Sequence, residues 1–391
     1  MRLAGAGIAS VIVSSRRPTY AEVDLVAVRE NVARMHSFAQ TRSNARVRIG
    51  AVVKADAYGH GATRVASAAS MGGAEIFFVA TLDEAIALRE HLEQAPIVLL
   101  GEPDPSFLGE TIRNRITPTI HSARTLVSMI EEVEGLSERD RARYEPSLHL
   151  EVETGLHRLG SEVSEVLVVA EAARAARIGV TGVYSHLARA DEGEEGDESV
   201  LAQVACLQDA YQRVVGVLDQ RPLLHLANTA GLVNYPQTGF DLVRVGIGMY
   251  GYGAHELGVR PVLRLVSRVT RLHQLTEAGG VSYGHRRWFP AGTPIATIPI
   301  GYADGVRRGL FEAGAQVLIR GQRHRLAGVV AMDHVMVAVD DPSVAVGDEV
   351  VLIGAQGSEF IGADELATRL STISYEILTG ISDRVPRRYR D

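Results

Sequence analysis

A lysine closes an apolar run at "AVVK", where Lys54 ends three residues that are small or β-branched. The same pattern recurs along the chain. Glu151 and Glu153 close "LHLEVE", with Arg158 just beyond; His186 follows "VYS"; Asn228 and Thr229 follow "LLHLA"; Arg244 interrupts "LVRVG". Each has a bland reading. A lysine at a strand end is most often a solvated rim residue, and a lone histidine is more often a satisfied core imidazole than a catalyst. Their common address is what argues for chemistry: an amine able to act as nucleophile or base, an imidazole, two guanidinium groups and paired carboxylates, all delivered by apolar runs.

The elements that deliver them are short β-rich runs alternating with helical patterns. "GAVVKA", "IFFVAT", "PIVLLG", "TPTI", "LHLEVET", "GVYSHL", "LLHLAN" and "LVRVGIGMY" make eight strands. Amphipathic stretches such as "LDEAIALREHLEQ" and "SARTLVSMIEEVEG" lie between them, and "YAEVDLVAVRENVARMHSFA" before the first reads as a further helix. Eight such alternations predict an α/β chain built on a (β/α)8 barrel, over residues 19–253 after an N-terminal extension, 1–18. Beyond Gly253, strands separated by glycine and proline turns predict a mainly β C-terminal domain, 254–391, with one helix at about 363–370.

In such a barrel the site lies at the C-terminal ends of the strands, and the loops after the seventh and eighth commonly hold a phosphate. Here those loops are "ANTAG" and "RVGIGMYG", which offer the Thr229 hydroxyl and, at Gly246 and Gly248, backbone that an anion can approach closely. A phosphate pocket beside an amine whose charge is disfavoured by an apolar strand end suggests pyridoxal 5'-phosphate, carried on Lys54.

Totals exclude other classes. At 391 residues with 46% hydrophobic content the chain suits two domains, and a net charge of −7 without a long basic stretch argues against nucleic acid. The basic cluster "RVPRRYR" is short and reads as structural. One cysteine, Cys206, excludes a disulfide framework and makes a thiolate metal site improbable, fitting a reducing, cytoplasmic compartment. "MRLAGAGIASVIVSSRR" loosely resembles a secretory signal, but basic charge follows the apolar run as well as preceding it, and the run is too short to span a membrane.

"AVVKADAYGHG", "EVETGLHRLG", "GVYSHLARADE", "HLANTAG", "DLVRVGIGMYG", "GVSYGHRRW", "IPIGYADGVRR", "AMDHVMV" and "YEILTGISDRVPRRY" together resemble the alanine racemase family, pyridoxal phosphate enzymes of fold type III, over about residues 19–390. The resemblance implies a head-to-tail homodimer with active sites at the subunit interface, converting L- to D-alanine and back for cell-wall precursors by a two-base mechanism. Lys54 would carry the cofactor and act as the base on the D face. Tyr283 would be the opposite base, reaching into the partner's site. A free phenol, titrating at about 10, is a poor base at neutral pH; in the family a hydrogen-bonded chain through the residues matched by His186 and Arg244 tunes it. Arg244 would face the pyridine nitrogen and, unable to give up its proton, leave that nitrogen unprotonated and the electron sink weakened, which favours racemisation over transamination. Tyr58, Thr229, Gly246, Ile247 and Tyr375 would secure the phosphate, with Asn228 beside them. Arg158 would hold the phenolic oxygen of the cofactor, Met332 would lie near the substrate carboxylate, and Tyr302 would narrow the entrance.

The chain departs from the family in places. Many members carry a carbamylated lysine at the position of Glu151, orienting the arginine matched by Arg158; the expectation is that Glu151 supplies that negative charge directly and pairs with Arg158, with a water to complete the contact because its side chain is shorter. Glu153 stands where aspartate is usual, His157 where glycine is usual, and His334 follows Asp333 where glutamine is usual, near the family's subunit interface. Asp56 and His60 carry no role that the sequence yields. The alternatives are a racemase of another amino acid such as serine, since one methylene or hydroxyl changes discrimination only modestly, a fold type III decarboxylase, which would place an acid where Arg244 stands, or a non-catalytic pyridoxal phosphate-binding protein, which would need no Tyr283.

Overall fold

The structure, a computed structural model, describes residues 16–141, 145–218 and 220–391. The apolar N-terminal run weighed as an export signal, and most of the 1–18 extension, lie outside the described residues. By its internal contacts the chain forms two units, Asp24–Val262 and Leu263–Arg390 together with the residues up to Val23.

The stretch that periodicity predicts as one helix from Tyr20 begins instead as a strand, β1 (Tyr20–Asp24), and turns helical as α1 (Leu25–Thr41). In "YAEVD" Ala21 and Val23 are buried, the alternation of a half-buried strand. Asp24 ends it by capping the helix, its carboxylate accepting from the Ala27 N–H at 2.9 Å.

In Asp24–Val262 the eight expected strands are present: β2 (Arg48–Val52), β3 (Ala74–Val79), β4 (Ile97–Leu99), β5 (Thr117–Pro118), β6 (Ser147–Glu151), β7 (Gly179–Tyr184), β8 (Leu223–His225) and β9 (Leu242–Val245). Parallel pairing runs β9–β2–β3–β4–β5 and β6–β7–β8. A parallel bridge between Thr119 and His149 joins β5 to β6, and the Asp241 and Arg244 N–H groups donate to the Leu224 and Ala227 carbonyls to close β8 onto β9. The strands are buried almost throughout because helices cover their outer face and side chains fill the inner one, so they read as near-continuous apolar runs. Gly50 is small for a steric reason: a Cβ there would lie 2.4 Å from the Phe78 ring.

The second unit is mainly β. Its seven-stranded sheet contains β1, antiparallel to Leu263–Arg268, together with Gln316–Ile319, Gln322–Arg325, Glu349–Gln356, Glu359–Ile361 and the edge strand Arg387–Arg390. The basic C-terminal cluster is therefore structural, and Arg387 donates to the carbonyls of Ile381, Ser382 and Val385. Two short helices, Ala363–Arg369 and Ser374–Thr379, precede it. No helix among the described residues is long and apolar enough to cross a membrane.

Candidate active site

Lys54 leaves the C-terminal end of β2, where Ile49, Ala51 and Val53 are fully buried. It is the only lysine in the chain. Burial lowers its pKa, as do the charges of Arg158 and Arg244, with Glu84 opposing. An amine whose cationic form is disfavoured is a better nucleophile and base.

The backbone immediately after Lys54 is unusual. Ala55, Asp56, Ala57 and Tyr58 have φ of 50, 50, 54 and 52°, one turn of left-handed helix made without glycine. Such a turn costs about 1–2 kcal/mol per residue, so its neighbours must hold it. The buried His60 ring does so from inside, its Nδ1 lying 3.0 and 2.9 Å from the Ala57 and Tyr58 carbonyls. The Asp56 carboxylate accepts from the Ala62 N–H at 2.7 Å, fixing the start of the next helix, and Glu84 accepts from the Ala55 N–H at 2.6 Å. Asp56 and His60, which sequence reasoning left without a role, brace the turn. Its product is the placement of Tyr58, 7% exposed, with its ring centroid 4.8 Å from that of Tyr250.

The Tyr58 hydroxyl meets the backbone of β9 where no side chain fits: a Cβ on Gly246 would lie 2.8 Å from it. The N–H groups of Gly246 and Gly248 donate to the Thr229 hydroxyl at 3.2 and 3.3 Å. Asn228 is engaged in capping, its side-chain oxygen accepting from the Gly231 N–H at 2.8 Å. Because β8, β9 and β2 are neighbours in the ring, Lys54, Tyr58, Thr229, Gly246 and the buried Ile247 converge. A phenol and a hydroxyl against glycine backbone too crowded for a Cβ suit phosphate oxygens, and the amine that follows β2 suits the aldehyde carbon. These residues fit pyridoxal 5'-phosphate.

Arg244, 3% exposed on β9, donates to His225 Nδ1 at 2.7 Å, to the Ser185 carbonyl at 2.8 Å and to His186 Nδ1 at 3.2 Å, and lies over the Tyr184 ring. Burial pushes its pKa down to about 10, which leaves it charged at neutral pH. Burial, then the charges of Arg244, Arg158 and Lys54, push His186 down to about 3. His186 is therefore neutral, and since its Nδ1 accepts from arginine, the ring proton resides on Nε2. His225 was not singled out from the sequence, although it sits three residues before the "NTAG" loop in the same strand-end position as the others.

A direct ion pair between Glu151 and Arg158 is not found among the described residues. Glu151, 4% exposed, lies 3.2 Å from His121 Nε2 and accepts from the Tyr184 hydroxyl at 3.3 Å. The β6–β7 register puts Glu151 opposite Tyr184, and a glutamate is too short to leave that neighbour for the next loop. Arg158 is exposed, on a loop organised by Glu153. Burial raises the Glu153 pKa, but the N–H groups of Gly155, His157 and Leu156 and the His157 charge outweigh it and hold the carboxyl low. His157 has φ 55°, a conformation that glycine adopts freely and histidine adopts under strain.

The remaining candidates belong to the β unit. Tyr283, 68% exposed, stands on a turn flanked by Ser282 at φ 64° and Gly284 at φ 73°. The Ser282 hydroxyl pins that turn by donating to the Val329 carbonyl at 2.7 Å. Tyr302 and Met332, 42% and 52% exposed, sit on two loops joined through Tyr302 N–H to the Ala331 carbonyl and Ala303 N–H to the Met332 carbonyl. Fully buried Asp304 secures both: it accepts from Arg17 and lies 3.3 Å from Arg384, which also holds Asp333 at 2.6 Å. Tyr375, 37% exposed, lies on the helix Ser374–Thr379.

The family model described as alanine racemase, N-terminal domain, matches residues 23–254, and that described as alanine racemase, C-terminal domain, matches residues 262–389. The chain is 40% identical over 389 residues to an alanine racemase of Symbiobacterium thermophilum, covering 95% of this chain and 97% of that protein. It is 38% identical over 383 residues to alanine racemase 1 of Bacillus subtilis, covering 95% and 93%. Among solved structures, the alanine racemase from Bacillus anthracis with bound L-Ala-P superposes with a TM-score of 0.86 at 33% identity, covering 96% and 95% of the two chains.

Proposed function

The chain belongs to the alanine racemase family, and from that premise we propose that Lys54 and Tyr283 are the two groups that move the Cα proton, Tyr283 coming from a second copy of the chain. The protein is an amino-acid racemase, an isomerase that interconverts L-alanine and D-alanine, the latter a precursor of peptidoglycan. The family depends on pyridoxal phosphate. In this chain Lys54 would hold the cofactor covalently, Tyr58, Thr229, Gly246, Ile247 and Tyr375 its phosphate, and Arg158 its phenolic oxygen. Bound there, it supplies the electron sink that makes the Cα hydrogen acidic.

The chain's own residues do the rest. Lys54, its amine biased toward the neutral form, takes or returns the proton on the D face. Tyr283 serves the opposite face, and the Nε2–H of His186 is the donor available to its phenolate oxygen. Arg244 fixes the His186 tautomer by donating to Nδ1 and keeps its own proton; with the cofactor held on Lys54, an arginine at this place would favour an unprotonated pyridine nitrogen. Met332 and Tyr302 would bound the substrate and its entrance. The observation that carries this reading is the convergence of the single lysine, its pKa lowered, with the Tyr58–Thr229–Gly246 cradle at one end of the barrel. Exposed Tyr283, Tyr302 and Met332 in the β unit support a homodimer, and the single cysteine a cytoplasmic setting.

Incubation with single enantiomers of alanine, serine and lysine, followed by chiral analysis, tests the specificity. Alanine is expected to reach an equal mixture fastest; a higher kcat/KM for serine or lysine would replace alanine as the substrate. The role of Glu151 has its own test. Its carboxylate acts on Arg244 through charge rather than contact, raising the arginine's pKa against burial. Glu151→Gln keeps the shape and removes the charge, and kcat/KM for alanine is expected to fall about tenfold, the effect of one charge-assisted interaction. Unchanged activity and cofactor affinity would leave Glu151 as a packing residue only.

A further inference from the structure

We propose that the N-terminal mouth of the barrel, at the opposite end from Lys54, binds a small molecule bearing an oxyanion, either carboxylate or phosphate. The interior of a (β/α)8 barrel is ordinarily filled by layers of bulky branched side chains. Here β5 and β6 start with Thr117 and Ser147, whose hydroxyls lie 3.3 Å apart, and the space they leave opens into a cavity of about 380 Å³. That is far above the ~15 Å³ that admits one water.

The cavity reaches His149, the third residue of β6 and 2% exposed. Its Nδ1 is buried and has no hydrogen-bond partner among the described residues. Gly182 makes room for this ring, since a Cβ there would lie 2.5 Å from it. Burial, then the Arg244 charge, hold the imidazole neutral, so it presents one N–H donor and one acceptor. A buried polar nitrogen left unsatisfied is costly, and the ring that carries it lines the cavity.

Charge selects the class of partner. Three arginines and one glutamate, Glu93, line the walls. Arg89 is locked in place by donating to the carbonyls of Leu92, Ala95, Asn114 and Arg115. Arg48 lies 4.0 Å from Glu75. Arg115 adopts φ 54°, a strained conformation for arginine, and no ion pair or hydrogen bond of its guanidinium is found among the described residues. Cationic walls, hydroxyl donors and a buried imidazole match an oxyanion and oppose a cation.

The test uses the protein reconstituted with pyridoxal 5'-phosphate, so that the catalytic phosphate cradle is filled. Calorimetric titration with inorganic phosphate, and separately with succinate, at an ionic strength held constant with potassium chloride, is expected to give one saturable site per chain for at least one of them. The tighter anion identifies the group recognised. Arg115→Gln is expected to weaken binding about tenfold, and Ser147→Leu, which fills the cavity, to abolish it, both with wild-type kcat for alanine. No saturable binding of either anion, or binding that Arg115→Gln leaves unchanged, overturns the proposal. Arg115→Gln alone decides it if Ser147→Leu does not fold.

Discussion

Lys54→Arg is expected to lower racemisation of alanine by at least about 10³-fold and to abolish covalent retention of the cofactor. General base and covalent roles are each worth two or more orders of magnitude in rate, and both fall on this one amine. Arginine preserves length and charge but cannot be deprotonated in a protein. The variant therefore separates the need for a reactive amine from the need for a cation near Arg158 and Arg244. The composition sharpens the readout, because Lys54 is the only lysine in 391 residues. Treatment of the wild-type holoenzyme with borohydride, then mass analysis of the denatured chain, should show one side chain carrying the cofactor; Lys54→Arg should show none. Retention of more than about a tenth of the wild-type kcat would remove Lys54 from the mechanism, since no other side-chain amine could replace it.

The charge arrangement explains why such an amine remains usable. Arg244 brings a cation into the barrel but spends its hydrogen bonds on neutral acceptors, two imidazoles and backbone carbonyls. Its charge discourages protonation of every group around it: it contributes to the lowered pKa of Lys54, His149, His186 and His225. Burial acts in the same direction on each of them, and for all four is the larger cause. Arg244 thus stays charged and holds the groups around it toward their neutral forms, which suits proton exchange at the substrate carbon.

The strand ends were legible because a polar residue closing an apolar run violates the pattern that surrounds it. Lys54, His186, Thr229 and Arg244 could all be found that way, and the eight alternations already implied that they share one end of a ring. Backbone conformation was not legible. Nothing in "ADAY" announces four successive residues at positive φ, so Asp56 and His60, which brace that turn, looked idle. The start of α1 was misread for a different reason: β1 exists because it pairs with Leu263–Arg268, beyond the whole barrel in sequence, and five residues of alternation are too few to outweigh the helical pattern after them. The direct form of the Glu151–Arg158 pairing failed on register. Family likeness aligned the two positions, but the β6–β7 pairing and the loop wound around Glu153 decide what each side chain can reach.

Tyr283→Phe is expected to leave the cofactor bound and the fold intact while racemisation falls about 10³-fold. The ring is 68% exposed, so the turn that carries it depends on Ser282 and not on the phenol. Removing one hydroxyl therefore deletes a proton-transfer group with little else. A two-base scheme makes a sharper demand than a loss of rate. With Lys54 on the D face and untouched, the variant should still exchange the Cα hydrogen of D-alanine with deuterium from the solvent, because one base can remove a proton and return another to the same face. Exchange of D-alanine should then outrun its conversion to L-alanine, whereas exchange from L-alanine should fall with racemisation. That asymmetry distinguishes loss of a base from loss of binding, which would slow both enantiomers and both processes alike. His186 offers a check on the same chain of groups: it stays neutral because burial and three nearby cations hold its pKa at about 3, so no step in activity that belongs to this imidazole should appear between pH 5 and 8. If Tyr283→Phe racemised at the wild-type rate, or lost exchange of both enantiomers in equal measure, the second base would have to be another group.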